Sequence, residues 1–151
     1  GVKICGFGIK TVLGLTNRLT SLYPAKIVIA LKAEHQGTFE CRYGIVIDDL
    51  QGRNVTKIFS PIDLFDIENN GIRLVEMELN PLQIGPGEYT IGISILGNST
   101  IEMINQAKRY DLLGRSFEFS VDLPSSLAAL TTNYFHSAAW TFMTGYEISS
   151  K

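Results

Sequence analysis

Acidic and histidine side chains are the first candidates for chemistry in this sequence. Glu76 and Glu78 alternate with apolar residues, so both lie on one face of a predicted strand. We interpret this carboxylate pair as part of a solvent-exposed strand face, and the alternative is the catalytic pair of a glycosidase. His35 and His136 have no partner at the spacing of metal ligands, so we interpret them as loop histidines. The sequence therefore predicts no catalytic residue, no metal site and no cofactor.

The glycine motifs and the charge balance exclude several classes of function. "GFG" at 6–8 and "GPG" at 85–87 follow no strand-to-helix pattern, so neither predicts a phosphate-binding loop. The formal net charge is −2, and the 13 basic residues form no stripe that could neutralise nucleic-acid phosphates. No apolar run approaches the roughly 20 residues that span a bilayer. We expect a domain that binds no nucleic acid.

Alternating apolar and polar residues predict an all-β protein. Seven segments alternate with a period of two and are separated by Gly, Asn, Asp and Pro, which indicates an antiparallel β-sandwich of the Ig-like or jelly-roll type. A single domain covers 1–151, and short helical turns are expected within 60–68 and 125–132. The tight hairpin at 48–54 relies on Gly52 for a left-handed backbone. The predicted strands are 3–9, 25–34, 41–49, 54–59, 71–80, 87–96 and 115–123.

One face of each strand is apolar and is predicted to form the core between the two sheets. The predicted inward residues are Ile27, Ile29, Leu31, Tyr43, Ile45, Ile47, Val75, Met77, Leu79, Tyr89, Ile91, Ile93, Ile95, Phe117, Phe119 and Val121. Cys5 and Cys41 each lie in a strand-like run. Two buried free thiols and an inter-strand disulfide are both compatible with the sequence.

The opposite face of three strands carries unusually small side chains. In an Ig-like sandwich the strands 41–49, 87–96 and 115–123 are neighbours, so their outward residues form one surface. Short polar side chains let a sugar ring lie flat and offer its hydroxyls several modest hydrogen bonds. A dimer interface or a neutral surface is the alternative. The predicted glycan-binding residues are Arg42, Gly44, Asp48, Thr90, Gly92, Ser94, Ser116, Glu118 and Ser120, with Val46 on the same face.

A longer pattern resembles a known family. The order "YPAKIVIALKAE", "YGIVIDDLQGRNV", "NNGIRLVEMEL", "LQIGPGEYTIGISIL", "FEFSVD" and a late Trp140 is similar to the C-terminal carbohydrate-binding domain of Wzt. Wzt is the nucleotide-binding subunit of ABC exporters of O-antigen polysaccharide. The similarity runs from about residue 2 to residue 143. Its most specific part is the hairpin Y-G-I-x-I-x-D-x-x-G, followed by the strand G-x-Y-x-[IL].

The resemblance implies a non-catalytic domain that binds the terminally modified O-antigen and licenses its export. It also implies a fragment of a longer protein, with an upstream ATP-binding domain and a membrane permease as partner, at the cytoplasmic face of the inner membrane. A homodimer with a swapped C-terminal strand follows from the family as well. Tyr134, Phe135, Trp140 and Phe142, together with Tyr146, would then contact the partner copy, and the alternative is a last strand that packs on its own domain.

A second class of function fits the same fold. An Ig-like structural module of a secreted or surface protein would use the face with small side chains on strands 41–49, 87–96 and 115–123 to contact another protein. A Cys5–Cys41 bridge, or glycans at the acceptor patterns of Asn54 and Asn98, would favour that hypothesis.

Overall fold

Two β-sheets packed face to face form the described part of the chain, which in a computed structural model comprises residues 1–97, 109–127 and 131–143. No helix in these ranges has the length and apolar composition needed to cross a bilayer. The strands are β1 Val2–Thr11, β2 Gly14–Leu15, β3 Arg18–Thr20, β4 Ala25–Ala33, β5 Gly37–Asp49, β6 Asn54–Phe59, β7 Asp63–Ile67, β8 Ile72–Leu79, β9 Gly87–Gly97 and β10 Arg109–Asp122. A short 3₁₀ turn spans Ser125–Leu127.

The sandwich predicted from the alternating residues is confirmed. One sheet has the order β2-β1-β4-β8 and the other has the order β3-β10-β9-β5-β6. Strand β7 pairs with the first half of β5, on the same side as β6. Pairing is antiparallel except between β3 and β10, which run parallel. The seven predicted strands correspond to β1, β4, β5, β6, β8, β9 and β10, although β10 begins at Arg109 and not at 115.

The helical turn expected within 60–68 is wrong. Residues 63–67 form β7, in which Phe65 is buried and pairs with Phe39 of β5. The pairing partner lies more than 20 residues away in sequence, so a local pattern could not indicate it. The turn expected within 125–132 is confirmed over Ser125–Leu127.

The core follows the predicted inward faces. On β9 the side chains of Tyr89, Ile91, Ile93 and Ile95 are all buried. Burying a large aliphatic side chain contributes about 1.5–3 kcal/mol, so this strand alone supplies a substantial part of the folding free energy. Phe117 is the least buried predicted core residue on β10, and its ring packs edge-on against Phe7 of the opposite sheet at 4.5 Å.

A polar cluster also ties the two sheets together. Arg73 on β8 donates from Nε and Nη2 to the Asp63 carboxylate on β7, at 2.8 and 2.6 Å. The Tyr43 hydroxyl donates to the same carboxylate at 2.6 Å. Burial alone would raise the pKa of Asp63, but the hydrogen bonds from Arg73 and Tyr43 outweigh it and hold that pKa below its usual range. Burial raises the pKa of Tyr43, which keeps its hydroxyl a donor.

Both cysteines are free thiols. Cys41 is buried, as expected, but Cys5 is exposed on the four-stranded sheet. The exposure arises at a register shift between Ile4 and Gly6, where Cys5 has no paired residue on β4. The prediction of two buried thiols is therefore wrong for Cys5, and the alternative of a Cys5–Cys41 disulfide is not observed.

Candidate functional site

The three strands predicted to share one surface are neighbours in the six-stranded sheet. β9 lies between β5 and β10, and the register places Thr90 opposite both Asp48 and Glu118. Because Tyr89 and Ile91 point into the core, Thr90 points to the outside. The predicted outward facing of these strands is confirmed. We call this surface the outer face; the positions on it that concern the site are Arg42, Gly44, Val46, Asp48, Glu88, Thr90, Gly92, Ser94, Glu118 and Ser120.

On β5 the outer face is largely covered. The Phe59 ring lies over Gly44, where a Cβ would meet the ring at 3.1 Å. Asp48 is only 6% exposed and accepts a hydrogen bond from Asn54 Nδ2 at 3.2 Å. Arg42 donates from Nη1 to the Ser60 carbonyl at 2.6 Å. The expectation that Gly44 and Asp48 lie on an accessible glycan-binding surface is therefore wrong, because the β6 side chains Phe59 and Asn54 cover them.

On β9 and β10 the outer face remains accessible. Thr90, Gly92, Ser94 and Ser120 are half-buried, and Glu118 is exposed. Thr90 Oγ1 is shielded from solvent and has no hydrogen-bond partner among the described residues. The side chain of Ser116 lies outside the described residues. The accessible part of the predicted glycan-binding surface is thus limited to two strands.

A cavity of about 500 Å³ lies at one end of the outer face. Three separate parts of the chain line it: the hairpin after β5, the start of β9, and the segment 131–143, which we call the tail. Asn54 lines the cavity while donating to Asp48, and Glu88 lines it two residues before Thr90. The cavity lining therefore includes residues that neighbour the outer face.

The hairpin holds an aspartate and an arginine in fixed positions at the cavity wall. Asp49 Oδ1 accepts the backbone N–H groups of Gln51 at 3.0 Å and Arg53 at 2.9 Å, and Oδ2 accepts Arg53 Nε at 2.8 Å. These bonds, the backbone bond from Arg53 first, hold the pKa of Asp49 below its usual range. Gly52 has a φ of 83°, which confirms the left-handed backbone predicted for the turn.

The tail forms the opposite wall. Gly85 N–H donates to the Asn133 carbonyl at 3.0 Å, and Phe135 N–H donates to the Gln83 carbonyl at 2.7 Å. The tail backbone passes so close to Gly85 that a Cβ there would overlap the Thr132 carbonyl. This contact places the half-exposed Tyr134 at the cavity, with its ring nearly perpendicular to the His136 ring and 5.6 Å between the ring centres.

Only part of the tail packs on its own domain. Tyr134 and Phe135 lie where the tail pairs with Gln83–Gly85, but Trp140 is 80% exposed and Phe142 is 90% exposed. Tyr146 lies outside the described residues. The tail thus combines a docked segment with an exposed aromatic segment.

Sequence reasoning missed the cavity. It assigned Asp49, Gly52 and Asn54 to a turn and Tyr134 to a dimer contact. The available signal was the polar run 49–54 in a loop at the end of a sandwich, where binding residues commonly lie. What the run did not reveal is that the loop before β9 and the tail meet it.

Both glutamates of the carboxylate pair on β8 are exposed, in agreement with a solvent-exposed strand face. Glu76 is exposed and bridges Lys10 at 2.8 Å and Lys26 at 3.4 Å. The hydrogen bond from Lys10 is the main cause that lowers the pKa of Glu76, whereas a glycosidase acid requires a raised pKa. Both histidines are exposed, and no group of three potential ligands among the described residues could hold a metal ion.

The side-chain amide of Asn54, which matches a glycosylation pattern, is hydrogen-bonded within the protein. Its Nδ2, the atom that would carry a glycan, donates to the carbonyls of Ile47 and Thr56 and to the Asp48 carboxylate, each at 3.2 Å. The second pattern, at Asn98, lies outside the described residues.

Comparison with known proteins gives a structural match and no sequence match. No protein-family model matches the chain, and no curated protein matches its sequence. The crystal structure of the C-terminal domain of Wzt aligns with a TM-score of 0.70, over 95% of this chain and 84% of that one, at 16% identity. Alkylpurine DNA glycosylase AlkC of Pseudomonas fluorescens, bound to DNA containing an abasic site analogue, aligns with a TM-score of 0.50 over 80% of this chain and 30% of that one, at 12% identity. At these identities the likeness shows the fold alone, and this chain shares the β-sandwich fold of the Wzt C-terminal domain.

Proposed function

We propose that this chain is a non-catalytic domain that recognises a polysaccharide, specifically an exported O-antigen. The observation that carries the proposal is the register of β9 and β10, which puts Ser94, Glu118 and Ser120 on one accessible sheet face. Hydroxyl groups can donate and accept, so such a face can satisfy sugar hydroxyls at about 0.5–1.5 kcal/mol per hydrogen bond. The short side chains leave room for a sugar ring.

The shared fold with the Wzt C-terminal domain supports the exporter context. In that context the chain is the C-terminal part of an ATP-binding subunit and acts with a membrane permease at the cytoplasmic face of the inner membrane. Binding of the finished, terminally modified polysaccharide then licenses its export.

The direct test is calorimetric or NMR titration with the surface polysaccharide of the organism that encodes the chain. Gly92→Gln puts a longer side chain on the accessible part of the outer face, and we expect it to weaken binding at least about tenfold, or ~1.4 kcal/mol. Val28→Gln introduces the same glutamine side chain on the outside of the four-stranded sheet and should leave the affinity unchanged. The absence of any binding by the unaltered domain would refute the proposed function.

We further propose that two copies associate through the tail. The aromatic residues Trp140 and Phe142 are exposed in the single chain, and burying two such rings would favour association. Two copies would also strengthen weak contacts with one polysaccharide, because the second binding event becomes intramolecular.

Light scattering coupled to size exclusion tests the dimer. We expect the unaltered chain to elute as a dimer and the double variant Trp140→Ser, Phe142→Ser as a monomer. Val12→Ser with Leu13→Ser removes two equally exposed apolar residues from the β1–β2 turn and is the matched control. Equal masses for all three proteins would contradict a dimer formed by the tail.

A further inference from the structure

The end cavity contains the types of group that bind a sugar ring, although sequence reasoning directed attention to the sheet face. Its volume of about 500 Å³ lies within the range of small-molecule sites, roughly 300–1,000 Å³. It is open to solvent beside the outer face, so a polysaccharide on that face could place one unit in it.

The polar groups of the cavity are held in place before any ligand binds. Asp49 is fixed by three hydrogen bonds, and its partner Arg53 keeps further N–H donors toward solvent because its side chain is 78% exposed. The three bonds from Asn54 Nδ2 to protein oxygens fix that amide and leave Oδ1 as an acceptor. A fixed acceptor beside a fixed donor matches two neighbouring hydroxyls of a pyranose, with little ordering cost.

The wall formed by the tail supplies an aromatic surface. Tyr134 lines the cavity and is half-exposed, and its ring lies nearly perpendicular to the His136 ring, with 5.6 Å between the ring centres. The C–H face of a sugar ring is apolar and can pack on such a ring, while its hydroxyls reach the hairpin opposite. The cavity therefore presents an apolar wall facing a polar one.

The charges of the cavity favour one class of sugar. Asp49 and Arg53 compensate each other, and Glu88 adds a further carboxylate. A uronic acid or a phosphorylated sugar would bring its own negative charge next to Glu88, which is unfavourable. An uncharged pyranose meets no such repulsion.

We infer that this cavity is the principal recognition subsite and takes one uncharged pyranose unit, held between the Tyr134 ring and the Asp49–Arg53 pair. The inference rests on the proposed function, which it extends by assigning the site and the class of sugar. It also makes recognition depend on the docking of the tail at Gly85.

NMR titration of the folded chain tests the class of sugar. The probes are methyl glucopyranoside, methyl mannopyranoside and methyl glucuronopyranoside, at concentrations on the order of 10 mM because single sugars bind weakly. We expect the two neutral glycosides to shift the backbone resonances of Gly52, Arg53 and Glu88, and the glucuronide to leave them in place. Shifts caused by the glucuronide alone would overturn the inference.

Variants of the tail wall test the position of the subsite. We expect Tyr134→Ala to weaken binding of the surface polysaccharide about tenfold, and Tyr134→Phe to retain it, because the ring and not the hydroxyl makes the contact. Tyr23→Ala removes another half-exposed tyrosine that does not line the cavity, and should bind normally. Gly85→Ala displaces the tail by overlap with Thr132, and should lose affinity to the same extent while the sandwich remains folded by circular dichroism.

The outcomes separate the two proposals. If the polysaccharide binds Tyr134→Ala and Gly85→Ala with unchanged affinity, the subsite is elsewhere on the outer face and the inference fails while the proposed function stands. If the unaltered chain binds neither the polysaccharide nor any glycoside, the proposed function fails, and the inference fails with it.

Discussion

Two aspartate–arginine pairs flank strand β5, and they differ in what surrounds the arginine. The Asp63 and Asp49 side chains are similarly exposed, at 19% and 21%. Arg73, the partner of Asp63, is 36% exposed, whereas Arg53, the partner of Asp49, is 78% exposed. The two carboxylates therefore have similar exposed fractions. The pairs differ in the solvent exposure of their arginines, which determines whether a pair has donors left for a ligand.

The first pair joins distant parts of the fold. Arg73 belongs to the four-stranded sheet and Asp63 to the other sheet, and the Arg73 guanidinium also lies 4.2 Å from the centre of the Phe65 ring. Tyr43 fills a further acceptor position on the carboxylate. Such a cluster forms only when the sheets pack, so it contributes to stability and leaves little capacity for a ligand.

The second pair is local. Asp49 and Arg53 are four residues apart in one hairpin, so the pair can form without the rest of the fold. Exposed pairs of this kind contribute only about 0.2–1 kcal/mol to stability. The Asp63–Arg73 pair, which joins the two sheets, thus stabilises the fold. The Asp49–Arg53 pair, which lies in a solvent-exposed turn, is available to bind a ligand.

The same substitution in both pairs should separate these roles most strongly. Arg73→Gln leaves a partly buried carboxylate with Tyr43 alone, and we expect the free energy of unfolding to fall by about 1–3 kcal/mol, less than for a fully buried pair because Arg73 is partly solvated. Arg53→Gln should lower the free energy of unfolding clearly less, because solvent screens its pair with Asp49. Denaturant unfolding monitored by circular dichroism measures both, and equal losses would contradict the distinction.

The sequence predicted the elements that have a local signature. Strict alternation identified β9 and its inward residues, and the residues around Gly52 identified the hairpin. The sequence did not predict β7, because this strand is stabilised by pairing with β5 and has no distinctive sequence pattern of its own. Asp63 and Arg73 could not be matched in advance, because their contact depends on which strands face each other across the core.

The sequence likewise predicted some features of the candidate site and not others. Alternation correctly predicted which side chains of β9 point outward, since that depends only on the strand period. It could not show that Phe59 covers Gly44, because that depends on the register of β6. The cavity was still harder to predict from the sequence, because its lining segments meet only at the end of the folded sandwich. These segments are 49–54, 86–89 and 133–134.

The loss of stability at low pH provides a finer test of how much each aspartate–arginine pair stabilises the fold. The pKa of Asp63 in the folded protein is held below its usual range, so its contribution to stability is complete above the unfolded value of about 3.9 and is lost as the pH falls from there toward the folded pKa. The pKa of Asp49 is lowered as well, but solvent screens that pair. Asp63→Asn should therefore flatten the loss of stability below about pH 4 more than Asp49→Asn does.

Unfolding midpoints in denaturant, measured between about pH 3 and about pH 7, give the comparison. Some acid dependence should persist in both variants, because Lys3 holds down the pKa of Glu34 and Lys10 that of Glu76. The two slopes are informative only relative to the unaltered protein, which shares these exposed pairs. If Asp49→Asn flattened the curve as much as Asp63→Asn, the hairpin pair would be contributing to stability as the cross-sheet pair does, and its assignment to binding would lose its physical basis.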